Sequence, residues 1–288
     1  MPKDSRPRGA GKYLRSLSIG LRGALEYRAN FFVSLLGAVS PVVIQTALWT
    51  CLYAPNPAEA SAAAGAGSGD GLRLFGFTYA QMLGYTVIAN IVSRLVRTSF
   101  EYDLNSDIRN GGLDRFLVKP IDYFGFRMAQ FIGAKSAEAV FMCVFLAASL
   151  AVLSAVTGLG VGIAAVLGFV AAMALAFLLN FLIFWCVGLL GFWLTEIGFL
   201  FEAARIVIIT ASGGIFPLSV FGPTGEAILR AMPFRFTIQF PTEILCGRVA
   251  GAELGMGLLV AALWAAALVF LSRALWAIGL RRFVAVGS

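Results

Sequence analysis

The chain has 288 residues, 59% of them hydrophobic and only 13% charged, with a mean hydropathy of +0.86; an ordinary globular domain carries about 25% charged residues. No stretch is polar enough to form a soluble domain, which excludes the one or two that this length would otherwise suggest. The net charge is +7 and histidine is absent, so the commonest general base, proton relay and metal ligand is missing.

The N-terminal stretch 6–30, RPRGAGKYLRSLSIGLRGALEYRAN, repeats Tyr13, Leu14, Leu17, Leu21 and Leu25 at helical spacing, with Arg15, Arg22 and Arg28 elsewhere. That is the pattern of a helix lying along a membrane surface; the plainer alternative is a basic flank that only sets topology. The basic region is too long, and the apolar stretch after it too extended, for a cleaved signal. The first membrane segment follows at about 31–53, with Pro41 expected to kink it. Residues 54–72 are rich in Ala and Gly and read as a flexible outer loop. A second segment runs over 74–93, bracketed by Arg73 and Arg94.

The loop 97–135 mixes five acids with six bases. Phe100, Leu104 and Ile108 fall on one helical face, Gly111–Gly112 ends that helix, and Leu113, Phe116 and Leu117 begin a second, which Pro120 stops. Asp107, Arg109 and Arg115 flank the glycine pair. The region reads as a docking surface for a soluble partner; a solvated connector held by its own ion pairs is the alternative.

From Ala139 to Thr195 there are 57 residues without a charge. A helix needs about 20 apolar residues to cross a bilayer, so this run holds two segments, at about 136–156 and 163–187, separated by TGLGVG at 157–162. A fifth runs over about 202–216 and a sixth over about 254–276. Each is read as a helix, because lipid offers backbone amides no partner. Between the last two, residues 213–248 are punctuated by Pro217, Pro223, Pro233 and Pro241, yet stay apolar. Pro217 and Pro233 stand where helices should stop, with Phe216 and Phe234 beside them. This region reads as short helices dipping into the outer leaflet, or a re-entrant hairpin; the alternative is a long apolar outer loop.

Eighteen of the 22 Lys and Arg residues fall on one side of this six-segment frame and four (Arg73, Arg230, Arg235, Arg248) on the other, which places both termini in the cytoplasm. The charges are spread over membrane flanks and form no nucleic-acid motif. Cys51, Cys143, Cys186 and Cys246 have neither metal-ligand nor redox spacing and are read as small hydrophobes. The chain lacks GxxxxGK[ST], HExxH and GxSxG. Glu138 lies near Lys135, and Glu202 and Arg205 are spaced to pair. All stand near an interface, while the middle of the segments holds only amides such as Gln45, Asn90 and Asn180. The energy source is therefore expected in a partner.

Four stretches carry a resemblance: ALEYRANFF (24–32), DIRNGGLDRFLVKPI (107–121), SGGIFPLSVFG (212–222) and MPFRFTIQFPTEILCG (232–247). In this order, within six segments, they resemble the membrane subunit of a bacterial type-2 ABC exporter, of the branch often paired with a second related permease. The resemblance implies one all-α transmembrane domain over 1–288, with an N-terminal interfacial helix, a cytoplasmic coupling helix and outer re-entrant helices, in the bacterial inner membrane. It implies that Asp107, Arg109, Gly111, Gly112 and Arg115 lie in the ATPase-coupling region. It also implies that Phe216, Pro217, Pro233 and Phe234 lie in the re-entrant exit. Two copies of an ATP-binding subunit would bind ATP and Mg²⁺, and a second permease, identical or related, would complete a path along segments one, two and five. The chain would bind membrane lipid but no nucleic acid, and would not itself be an enzyme. The competing readings are a membrane scaffold that transports nothing and an ion-coupled secondary transporter.

The charge asymmetry makes a direct prediction. A Ser68→Cys variant should react with a membrane-impermeant thiol reagent from outside intact cells, and a Ser106→Cys variant should not; the reverse pattern would invert the topology.

Overall fold

The computed structural model describes residues 28–54, 73–110, 112–113, 116, 122–157, 162–194 and 197–282. These contain helices and no strand: α1 (Arg28–Tyr53), α2 (Tyr79–Val96), α3 (Phe100–Arg109), α4 (Tyr123–Thr157), α5 (Ile163–Leu189), α6 (Gly198–Ala211), α7 (Gly222–Ala231), α8 (Gln239–Leu245) and α9 (Gly251–Leu280). Short 3₁₀ turns at Leu190–Phe192, Leu218–Phe221 and Pro233–Thr237 join several of them. The expected surface helix before residue 28, the loop 55–72, Gly111, Arg115, Leu117 and Pro120 lie outside the described residues.

Ile163–Phe192 and Gly251–Leu280 are each 30 residues long and apolar enough to cross a membrane, and they match the fourth and sixth predicted segments. The third prediction, 136–156, is the later part of the single helix α4, whose halves Tyr123–Ser136 and Glu138–Ala151 meet at 42° and together form a third membrane-capable element. Helix α1 runs through Pro41 as one element.

Two further boundaries differ from the sequence reading, besides the start of α4 at Tyr123. Segment two starts at Tyr79 rather than Leu74. The backbones of Leu74 and Phe77 bond to each other in a tight turn, with Phe75 and Gly76 at φ +54° and +79°. Thr78 and Gln81 then close a reciprocal capping box that fixes the helix start. Segment five is Gly198–Ala211 rather than 202–216. Its 14 residues give about 21 Å of helix, short of a hydrocarbon core about 30 Å thick. The helix stops because the chain turns at Gly213, φ +79°, where a Cβ would lie 2.5 Å from Gln239 Oε1 and 2.7 Å from the Tyr85 hydroxyl.

Helix α5 is the hub. Its buried face, including Ala172, Ala176, Leu179 and the run Phe181–Trp185, packs against three groups of neighbours. One group centres on α1 and α2 (Trp49, Met82, Tyr85, Ile88, Val92). A second is aromatic and joins α3, α4 and α5 through Phe100, Tyr123, Phe131, Phe181 and Trp185; Phe100 and Phe181 stack at 4.3 Å. The third joins α5, α8 and α9 through Leu179, Leu182, Phe240, Ile244 and Ala261. Small residues let these helices approach closely, the usual device where lipid removes the hydrophobic drive between helices. At Gly257 a Cβ would sit 2.2 Å from the Phe240 ring.

Candidate functional site

Polar side chains gather in two knots separated by apolar packing. The first surrounds α3. Its apolar face is buried as periodicity predicts, with Leu104 at 0% exposure and Phe100 and Ile108 nearly as low. Glu101 and Asp107 turn toward the bundle, while Asp103 stays exposed. The Arg127 guanidinium, 8% exposed, bonds Asp107 and, at 3.2 Å, Asp103. It also donates to the Tyr123 hydroxyl at 2.9 Å and to Gln130 at 3.1 Å. Tyr123 in turn donates to Asp107 at 2.6 Å. Deeper in, Arg205 of α6 bonds the fully buried Glu101 carboxylate and donates to the Thr98 carbonyl at 3.0 Å. Tyr102 donates to Glu202 and lays its ring against Phe201 at 5.2 Å. That bond to Glu202, followed by partial burial, raises the Tyr102 hydroxyl above its ordinary pKa. Beside this knot Glu138 accepts from Arg94 and from Lys135, each at 2.7 Å.

The proposed coupling residues thus separate. Asp107 faces Arg127 and Tyr123 inside the protein. Gly112 lies against Asp107, where a Cβ would come within 2.6 Å of its carboxylate oxygen. The Leu113 amide donates to the Asp107 carbonyl at 3.0 Å. Both residues therefore shape the turn after α3. Helix α3 ends at Arg109, before the glycine pair, with the Asn110 amide bonded to the Ser106 carbonyl. Arg109 is exposed at that end.

The second knot holds 213–248 against α2. Tyr85 donates to the Gly213 carbonyl at 2.7 Å. Gln239 accepts from the Leu218 amide at 2.9 Å and donates to Glu243 at 2.7 Å, and its own amide bonds the Ser212 carbonyl at 3.0 Å. Arg235 closes the knot on Glu243 at 2.8 Å, with side chains 11% and 5% exposed. Arg248 donates to the Gly76 carbonyl at 3.0 Å and sits 3.8 Å above the Phe77 ring. All of α8 is buried, so this stretch is packed into the bundle. Only α7 has no buried residue.

Pro217 and Pro233 are both buried, Pro217 just before the Leu218–Phe221 turn and Pro233 at the first position of the next one. Phe216 meets Trp49 of α1 edge-on at 6.1 Å. Phe234 packs instead against the aromatic cluster of α3, α4 and α5. The two phenylalanines therefore brace two different walls. Sequence reasoning counted Arg235 only for topology and missed Glu243, although these are the only opposite charges in the apolar stretch 231–247. Their separation of eight residues fits no single helix turn.

Removing one member of a buried ion pair strands the other, which costs about 3–5 kcal/mol, whereas replacing both by apolar residues is often near neutral. Arg235→Met and Glu243→Leu should each lower the melting temperature of the purified protein strongly. The double variant should melt closer to the parent than either single one; additive losses would contradict this account.

Residues 70–287 match a family model described as ABC-2 family transporter protein. No curated protein matches the chain. The matched span covers most of the chain, including both polar knots and every described helix after α1. The chain belongs to the ABC-2 transporter family and is an ABC-2 type membrane permease, a transport component that works with an ATP-binding subunit.

Proposed function

We propose that this permease is the membrane half of an ATP-driven exporter in the bacterial inner membrane. It crosses the membrane six times with both termini in the cytoplasm. It moves an amphipathic or hydrophobic substrate out of the cytoplasm or inner leaflet, between two permease subunits, above two copies of the ATP-binding subunit. The chain hydrolyses nothing; ATP and Mg²⁺ belong to the partner. The observation that carries this reading is α3. A ten-residue helix with its apolar face and most of its acids pinned to the bundle leaves Ser106, Arg109 and Asn110 facing outward. Such a helix is a rigid platform, suited to receive a push without dissipating it.

The docking test uses the two arginines together, because an exposed ion pair contributes only about 0–1 kcal/mol. Reversing Arg109 and Arg115 to Glu should reduce the ATP-binding subunit that co-purifies, or uncouple its hydrolysis from export, with insertion unchanged. Unaltered subunit binding together with unaltered export would remove this surface from consideration.

The packed stretch 213–245 supports a second part of the reading, that it caps the exit of the path. Phe216→Ala, which trims the contact with Trp49, should change the efflux of amphipathic dyes from cells expressing the whole transporter more than it changes protein abundance. A fall in abundance that accounts for the whole change in efflux would refute the cap.

A further inference from the structure

The pairing of Arg205 with Glu101 does something that stability does not explain. Desolvating two charges costs several kcal/mol per ion, and well-packed apolar replacements are often as stable. Glu101 is nevertheless wholly buried, and Arg205, with its guanidinium 5.2 Å above the Phe184 ring, is largely so. The joint is also incompletely satisfied. Glu101 Oε2 and Thr98 Oγ1 are buried without a hydrogen-bond partner, and Arg205 Nε has only the Glu202 carboxylate at 3.7 Å. A pair kept buried at that cost points to a role beyond rest-state energy.

The position of α6 supplies that role. Its first two turns are fastened to α3, by Arg205 on Glu101 and the Thr98 carbonyl and by Glu202 on Tyr102. Its far end runs directly into the second knot, where the Ser212 carbonyl accepts from the Gln239 amide and the Gly213 carbonyl from Tyr85. A helix of 14 residues without an internal glycine or proline is a stiff strut. One end is held by charge under the docking helix and the other by hydrogen bonds in the outer hairpin.

We propose that Arg205 is the positioning residue that couples the two ends of the permease: through its bond to Glu101, α3 and α6 move as one body, so that a displacement of α3 is delivered to the hairpin 212–222. The inference rests on the reading of α3 as part of the ATPase-docking surface and adds the route by which that surface is felt on the other side.

The test needs no known substrate. The full-length chain, with its four native cysteines replaced and Phe221→Cys added in the exposed part of the hairpin, is purified with its co-expressed ATP-binding subunit. Maleimide labelling is timed with and without ATP and vanadate. In the parent, trapping should change the labelling rate by about fivefold, the low end of a useful coupling between sites. Arg205→Met should abolish that change while the ATP-binding subunit still co-purifies and hydrolyses ATP, and Arg205→Lys should retain most of it. Glu101→Gln, which keeps the shape and removes the charge, should behave like Arg205→Met. The proposal fails if Arg205→Met responds to trapping as the parent does, or if the parent does not respond. It also fails if both charge-removing variants simply lose the ATP-binding subunit, since the pair would then be structural. A parent chain that never retains an ATP-binding subunit would instead sink the exporter reading itself.

Discussion

Every backbone amide in a lipid-facing protein must find its partner inside the protein, and the rest of this structure follows from that demand. It makes the described residues helical. It also dictates what happens where a helix stops early. Helix α6 ends after 14 residues, and the freed backbone beyond it is taken up by side chains from elsewhere. Tyr85 takes the Gly213 carbonyl, and Gln239 takes the Leu218 amide. The hairpin and the polar residues that hold it are one device.

Charge is confined in the same way. In water the ion pairs of α3 would be weak, but Glu101 is wholly buried and Asp107 largely so, beside the aromatic cluster of Phe100, Tyr123, Phe181 and Trp185, while Asp103 stays exposed. In such surroundings a charge is tolerable only beside its partner. Arg127, Arg205 and Arg235 each sit against a carboxylate and near an aromatic ring, which also offers the cation the negative face of its π-system. The outcome is a bundle whose middle is packed by apolar contact and whose polar knots are both reached by α2 and α6.

Much of this is legible in the sequence. The apolar runs located α5 and α9 to within a few residues, because length and composition alone decide whether a helix is at home in lipid. The spacing of Phe100, Leu104 and Ile108 disclosed the buried face of α3, since a period of 3.6 is a local property. Lys135 and Glu138, three residues apart, announced their own contact. The starts of α2 and α4 carry local signals too, the Thr78–Gln81 capping box and the Asp122 carboxylate that accepts from the Gly125 amide, but the apolar runs alone do not mark them.

The sequence by itself determined that this is a membrane protein, where most of its long helices run, and that its charges keep to particular stretches between them. Only the tertiary structure decided which charges meet. Arg205 had Glu202 as its near neighbour, yet its close partner is Glu101, 104 residues away, with Glu202 left at 3.7 Å. Arg235 and Glu243 find each other across a 3₁₀ turn and a short helix. Asp107, exposed on a one-dimensional reading, is drawn inward by Arg127. The reason is physical: burial and periodicity are written residue by residue, whereas an ion pair depends on the path of the chain between its members, and packing of the whole bundle fixes that path.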